Sequence, residues 1–554
     1  MTDPNVPAYD VAIVGGGVAG ALIAAHLAEA GHKVVLLEAG PKITDRLDLV
    51  GRFATSRGRA PHDPYRDPVA DRFSPAPRVT DTPDNGHYLQ KTPDTPLKST
   101  YQRLAGGSTW HWLGNTPRFL PADFELRKRY GIADDWPISY DDLESWYGKA
   151  ERELGVSGDD QEWDGVGDAR RTTPFPMPPI WPAWGDRLVK EQIQGLEVER
   201  ARVEVRITPQ ARNSIPFQGR PPCAGNSSCV PICPIHAKYD ATVHLRRAHL
   251  AGCEILVRAV VRRLDSDDAG RITAIAYRPW SEHGLDEERI IRARIVVLAA
   301  NAIETPLLLL ASKLATASPV GANLMDHLQG YGLCLMPQPV YPFRGPPVTS
   351  GIDVWRDGPW RVNQAAFRVS IGNDGWGRPE PLELTARRAI ESGVWGTALR
   401  DAVRNRATRM LRMSYSTEML PDLGNRVSLA GYDSEGNPKP AISFSLPDYN
   451  RRAFEFANQA IRTMFGALKG EEVQFTYPKS NYSGAGHLVG TCRMGTDPSN
   501  SVTDPQCRVH GHPNLYVAGA SLFTTSGTAN PTLTAAALAL RLAQHLPRQL
   551  SDFV

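Results

Sequence analysis

The chain has 554 residues, with 62 Lys and Arg against 60 Asp and Glu, and seven cysteines. That length exceeds one simple core and predicts two or more domains able to bury a large ligand. A net charge of +2 excludes the field expected of a protein that grips nucleic acid or an anionic membrane surface, and favours a neutral or small substrate.

The opening MTDPNVPAYDVAIVGGG has no basic stretch followed by an apolar one. No apolar run reaches the roughly 20 residues of a spanning helix, so the expectation is a chain without an anchor or export signal of its own. The first strong signal is the apolar run Val11 to Val14, then Gly15-Gly-Gly17-Val-Ala-Gly20, an Ala/Leu-rich helix, and a second strand VVLLE ending at Glu38. This is a complete βαβ unit. Gly15 permits the tight turn, Gly17 lets backbone approach a pyrophosphate, and Gly20 lets helix and strand pack closely. Glu38 stands where a carboxylate can accept hydrogen bonds from an adenosine ribose. Residues 41 to 100 are rich in Pro, Asp, Arg and Gly without sustained periodicity and are expected to be long surface excursions.

Further nucleotide-type elements follow much later. RIVVLAANAIETPLLLLAS (Arg294 to Ser312) predicts a strand and a helix, NLYVAG (Asn514 to Gly519) a strand, and PTLTAAALALRLAQHL (Pro531 to Leu546) a helix. Such strands at the start, middle and end imply an α/β fold with a Rossmann-like nucleotide domain that is discontinuous in sequence. Its expected segments are 6–130, 235–330 and 478–550. A second, substrate-binding domain built on a β-sheet with helices would take 131–234 and 331–477. PDLGN (Pro421 to Asn425) followed by RVSLAG reads as a turn entering a strand of that second sheet.

Three of the seven cysteines, Cys223, Cys229 and Cys233, fall within CAGNSSCVPICP, in a loop at 221–236. Such sparse cysteines are unlike a disulfide-stapled secreted scaffold and suggest folding in a reducing compartment. Three thiolates suit a cluster with three irons, and the closing Cys-x3-Cys-Pro echoes the ferredoxin pattern. Zinc with a fourth ligand such as His236, or three buried structural thiols, are the alternatives at this point.

Four stretches together resemble the glucose/methanol/choline oxidoreductases: GGGVAG, AGGSTWHWLGNTPRF (Ala105 to Phe119), GHLVGTCRMG (Gly486 to Gly495) and LYVAGASLFTTSGTANPTLTAAALALRLA. The resemblance covers nearly the whole chain. Within that family it is nearest to catalytic subunits of bacterial membrane-associated glucose, fructose and sorbitol dehydrogenases, with a more distant likeness to pyranose oxidase. It implies FAD as cofactor and alcohol oxidation as activity.

By the same resemblance His487 is the catalytic histidine and Asn530 its partner. A neutral imidazole suits removal of a hydroxyl proton while hydride leaves the carbinol carbon, and an amide can hold the same oxygen in place. Gly106, Gly107 and Ser108 would pass close to the flavin. His111 is aligned with a position that is covalently bonded to the flavin in pyranose oxidase, so a covalent link and simple packing between Trp110 and Trp112 both stand. Pro531 and Thr532 open a helix whose positive end would face the flavin's pyrimidine edge. Gly519 and Ala520 replace an aspartate common in the wider family, which sets the chain with the sugar dehydrogenase and pyranose oxidase branch.

The cysteine stretch resembles the segment that holds a 3Fe-4S cluster in the bacterial sugar dehydrogenases. The resemblance then implies electron exit to a cytochrome or quinone, a small partner subunit bearing a twin-arginine signal, a multihaem cytochrome c subunit, and a periplasmic location reached through those partners. The expected activity is oxidation of a hydroxyl of a sugar, sugar alcohol or glycoside. The rivals are a glucoside 3-dehydrogenase, an oxygen-using sugar oxidase, and a flavin-bound electron-transfer protein that turns over no alcohol.

Overall fold

A computed structural model of the chain describes residues 8–42, 45–47, 90–91, 97, 101–225, 227, 229, 232–281, 284–374, 382–432, 436–476 and 483–551. Most of the 41–100 stretch expected to run over the surface lies outside the described residues.

The βαβ unit forms where the sequence places it: β1 (Ala8–Val14), α1 (Val18–Glu29) and β2 (Val34–Leu37). The strands pair in parallel, Val11 opposite Val34 and Val14 opposite Leu37. The later apolar run becomes β3 (Arg289–Leu298) and α2 (Asn301–Ala311). The carboxyl half of β3 lies parallel to β1, while its amino end turns antiparallel to the strand Ile272–Ser281. Next in the chain comes β4 (Leu328–Leu335), and near the end β5 (Leu515–Val517) and α3 (Thr532–Leu550). β5 joins β3 in parallel on the side away from β1, and the strand Glu254–Leu256 joins β2. Val11, Ile13, Val35, Leu36, Ile295 and Val297 are almost wholly excluded from solvent, as strands covered by helices on both faces require. Early, middle and late segments therefore share one sheet, as a discontinuous nucleotide-binding half demands.

A second sheet is built mainly from antiparallel pairs, with β4 between the strands Met410–Thr417 and Glu471–Thr476. It continues through Phe367–Gly372 and Val348–Ile352 to Val205–Ile207. The 20-residue helix Asp448–Ala467 packs its buried Phe454, Ile461, Met464 and Phe465 against the sheet. The expected strand after PDLGN is present, Arg426–Tyr432, but it does not join this sheet. It pairs with Pro438–Ser443 in a separate three-stranded sheet against α2. Val427 alone of that strand is buried, so its apolar content is satisfied by one side of α2 and gives no sign of which sheet it joins.

Candidate active site

The glycine turn lies at the carboxyl ends of the parallel strands, where open α/β sheets bind nucleotides. A side chain at Gly20 would sit 2.0 Å from the Gly15 carbonyl oxygen, so helix and turn touch only because residue 20 has none. At Gly17 the opposite holds: a Cβ there meets no protein atom within 4 Å. Gly17 is also the residue that caps the amino end of α1, so the open space faces the helix's unpaired N–H groups. Glu38, 6% exposed, accepts from the N–H of Gly16 and of Gly40, each at 2.7 Å. Burial pushes its carboxyl up to about 7, against the downward pull of those two bonds and of Arg103.

The Gly106-Gly107 pair folds over this turn. Gly106 donates its N–H to the Gly16 carbonyl at 3.0 Å, and a Cβ on Gly107 would stand 3.2 Å from the Cα of Gly17. Ser108 lies in the short turn Gly107–Trp110, and half-buried His111 follows it with its N–H on the Ser108 carbonyl. Gly519 and Ala520 complete the same end of the sheet, with Gly519 facing Ala19 of α1.

His327 and His487 come together by strand-like pairing. Met325 and Val489 exchange both backbone hydrogen bonds, and the N–H of Ala485 reaches the His327 carbonyl, so segments 483–489 and 325–329 run side by side. His487 is held by its own N–H on the Asp326 carboxylate at 2.8 Å. Its Nε2 lies 3.2 Å from the side-chain amide nitrogen of Asn530, and its Nδ1 lies 2.7 Å from Nδ1 of His327. The His327 Nε2 in turn lies 3.0 Å from the Gly527 carbonyl and 3.2 Å from that of Ser526. Burial, reinforced by His327, holds the His487 imidazole well below its usual pKa, and burial lowers that of His327 as well. His487 is neutral at pH 7 and can accept a proton.

Asn530 precedes Pro531, whose carbonyl accepts the N–H of Ala535, and Thr532 begins α3. The first-turn N–H groups of that 19-residue helix have no carbonyl upstream within it and present partial positive charge beside His487.

Sequence reasoning missed His327 and Asp326. The available signal was a polar Asp-His pair at the head of the apolar strand LQGYGLCL: both side chains are almost fully buried, at 0% and 2% exposure. Buried titratable groups in a cleft are candidates for a functional site.

Of the three clustered cysteines, Cys229 and Cys233 are near enough to act on the Cys223 thiol. Cys229 and Cys233 are buried and Cys223 is half-buried, and all seven cysteines are free thiols. Each sulfur of the three faces an N–H: Gly225 to Cys223 at 3.4 Å, Arg212 to Cys229 at 3.2 Å, and the backbone of Lys238 to Cys233 at 3.5 Å. Burial raises the Cys223 thiol, Arg212 opposes that, and Cys229 and Cys233 add to it. Among the described residues no three His, Cys, Asp or Glu side chains gather tightly enough to ligate one ion. His236, the alternative fourth zinc ligand, is turned to Asp240 at 3.2 Å.

Lys238 ties this loop to the segment Trp110–Trp112. Its fully buried amine donates to the carbonyls of Trp110 and Trp112, on either side of His111, at 2.8 and 2.6 Å.

Models described as GMC oxidoreductase match residues 211–329 and 421–539, and one described as FAD dependent oxidoreductase matches 10–46. The chain is 35% identical to the fructose dehydrogenase large subunit of Gluconobacter japonicus over 98% of both chains. It belongs to the GMC oxidoreductase family.

It is an FAD-dependent oxidoreductase of the sugar and alcohol class, and the site fits that cofactor: open space at Gly17, a buried carboxylate at Glu38 and the amino ends of α1 and α3. The 6'''-hydroxyparomomycin C oxidase of Streptomyces lividus is 27% identical over 98% of this chain and 92% of that one. Two solved structures share the fold. Formate oxidase superposes with a TM-score of 0.65 at 16% identity over all of both chains. Pyridoxine 4-oxidase from Mesorbium loti superposes with a TM-score of 0.62 at 19% identity, covering 97% of this chain and 99% of that one.

Proposed function

We propose that the chain is a dehydrogenase that oxidises a hydroxyl of a sugar, sugar alcohol or glycoside, with His487 as the base that takes the hydroxyl proton. The observation that carries this reading is the His487–Asn530 pair, 3.2 Å apart at the amino end of α3. Asn530 and a neutral His487 Nε2 present a donor and an acceptor to one oxygen, which positions it and removes its proton. FAD, when bound, supplies a hydride acceptor at N5. The amino end of α3 stabilises negative charge that develops beside it, an electrostatic contribution that needs no rearrangement at the moment of reaction. His111, between the Trp110 and Trp112 carbonyls that accept from Lys238, would either carry a covalent bond to the flavin or pack against it.

Cys223, Cys229 and Cys233 would hold a 3Fe-4S cluster in this reading. Three thiols, each met by an N–H donor, suit thiolate ligands of an iron–sulfur cluster, whose sulfurs such bonds tune. Such a cluster would supply one-electron exit toward a cytochrome or quinone. The Lys238 bridge from this loop to the His111 segment supports a short path between the two sites. A large subunit among the relatives supports partner subunits; by the family resemblance these would be a small one with a twin-arginine signal and a multihaem cytochrome c, with periplasmic work through them. The division into 6–130, 235–330 and 478–550 against 131–234 and 331–477 is proposed with it.

Anaerobic addition of D-fructose, D-glucose, D-sorbitol or a β-glucoside to the FAD-loaded protein tests the reading. Bleaching of the flavin by one of them, with products assigned by NMR, supports it; oxidation at C3 of the glycoside would identify a glucoside 3-dehydrogenase. Rapid peroxide formation in air would indicate an oxidase, and a flavin that no sugar or polyol bleaches would refute alcohol oxidation of this class.

A further inference from the structure

We infer that His327 is a positioning residue that fixes the tautomer of His487, keeping the proton on Nδ1 and the lone pair on Nε2. The inference rests on the proposed role of His487 as base.

The assignment begins at two carbonyl oxygens, which can only accept. Ser526 and Gly527 both direct theirs at Nε2 of His327, so that nitrogen carries the proton. A neutral His327 then has its lone pair at Nδ1, which lies 2.7 Å from Nδ1 of His487. Two lone pairs cannot face each other at that distance, so His487 carries its proton on Nδ1 and donates it to His327. Its Nε2 is left as the acceptor. Asn530 accords with this, because it turns its amide nitrogen, a donor, to Nε2.

The carbonyls are held rigidly. The Ser526 hydroxyl both accepts the N–H of Met419 at 2.8 Å and donates to the Met419 carbonyl at 3.0 Å. Thr525 donates to the Asp123 carbonyl at 3.0 Å, and Thr528 accepts from the buried guanidinium of Arg356 at 3.0 Å. The TTSGT segment therefore presents its carbonyls in one orientation to His327, which is 2% exposed.

The consequence is a base ready before substrate arrives. When the substrate O–H bond breaks, its electron pair stays on oxygen and the proton forms the N–H bond at His487 Nε2. The imidazolium so formed still donates from Nδ1 to His327, which disperses the charge toward the two carbonyls. Without His327 the other tautomer becomes accessible, placing N–H where the lone pair is needed. A wrong tautomer costs a comparable base about 10⁴-fold in the serine protease triad.

Two measurements test this. In FAD-loaded protein carrying ¹⁵N-histidine, long-range ¹H–¹⁵N correlation should show His487 protonated at Nδ1 and His327 protonated at Nε2, with assignments from His487→Ala and His327→Asn. A His487 proton on Nε2 overturns the inference whether or not any sugar is a substrate. In rapid anaerobic mixing with whichever sugar or polyol bleaches the parent, His327→Leu should slow limiting flavin reduction by at least about 100-fold and leave half-saturation within about threefold. His327→Asn, whose side-chain oxygen stands where Nδ1 stood, should recover to within about tenfold of the parent. Equal losses in Leu and Asn, or no loss in Leu, contradict it. Normal reduction in His487→Ala would instead remove the base assignment itself, so the two failures are distinguishable.

Discussion

Gly17→Ala separates folding from cofactor binding. A Cβ at Gly17 meets no protein atom within 4 Å, and its φ of −73° is open to any residue, so the apoprotein has nothing to rearrange. Alanine in place of a glycine helix cap costs about 1 kcal/mol at most. The FAD pyrophosphate is expected in that space, receiving N–H groups from the start of α1. Displacing it by a methyl group forfeits two charge-assisted hydrogen bonds, about 1.5–3 kcal/mol each, which corresponds to roughly a 100- to 10⁴-fold weaker affinity. The contrast is Gly20→Ala, whose Cβ would lie 2.0 Å from the Gly15 carbonyl and should destabilise the apoprotein by about 1–3 kcal/mol. Denaturant unfolding of both apoproteins, with FAD content on purification and FAD titration by fluorescence, reads the two effects separately. Stoichiometric FAD bound to Gly17→Ala with affinity within about threefold of the parent would refute the pyrophosphate placement.

Two further outcomes follow from the site. Because His487 is held well below its ordinary pKa of 6.5, the folded protein resists a proton that the unfolded chain accepts. Stability should be full above about pH 6.5 and fall as pH drops below it, and flavin reduction should keep its rate down to about pH 6; a rate that already halves between pH 8 and 7 would contradict a neutral base. Cys229→Ser should remove most of the roughly three irons and the acid-labile sulfide expected of an anaerobically purified cluster protein, while sugar still bleaches the flavin and delivery to a cytochrome collapses. Active parent protein with full FAD and neither iron nor sulfide would end the cluster reading.

The nucleotide half was legible because its signals are local. Three glycines at fixed spacing, a β-branched strand and a terminal acid each act within a few residues, and the structure joins β1, β3 and β5 as their apolar runs foretold. His487 and Asn530 were legible only through the family's motifs, since nothing in GAGHLVG itself distinguishes one of fourteen histidines. The missed partner, His327, lies 160 residues away, and the pairing of 325–329 with 483–489 that unites them is a long-range register no window reveals. Arg426–Tyr432 failed for the same reason: its turn and strand were readable, but the neighbour it pairs with was not. Lys238 was invisible as well, a lysine whose full burial depends on two carbonyls more than 120 residues upstream.

Single-turnover flavin bleaching in the His487→Ala protein tests the central claim most directly. FAD-loaded parent and variant, mixed anaerobically with whichever sugar or polyol bleaches the parent, are followed by flavin absorbance at pH 7. The account predicts equal FAD content and a variant slowed by about 100- to 10⁴-fold, the loss expected when a positioned base is removed. Bleaching of the variant at close to the parent rate would show that the hydroxyl proton leaves by another route and that His487 is not the base.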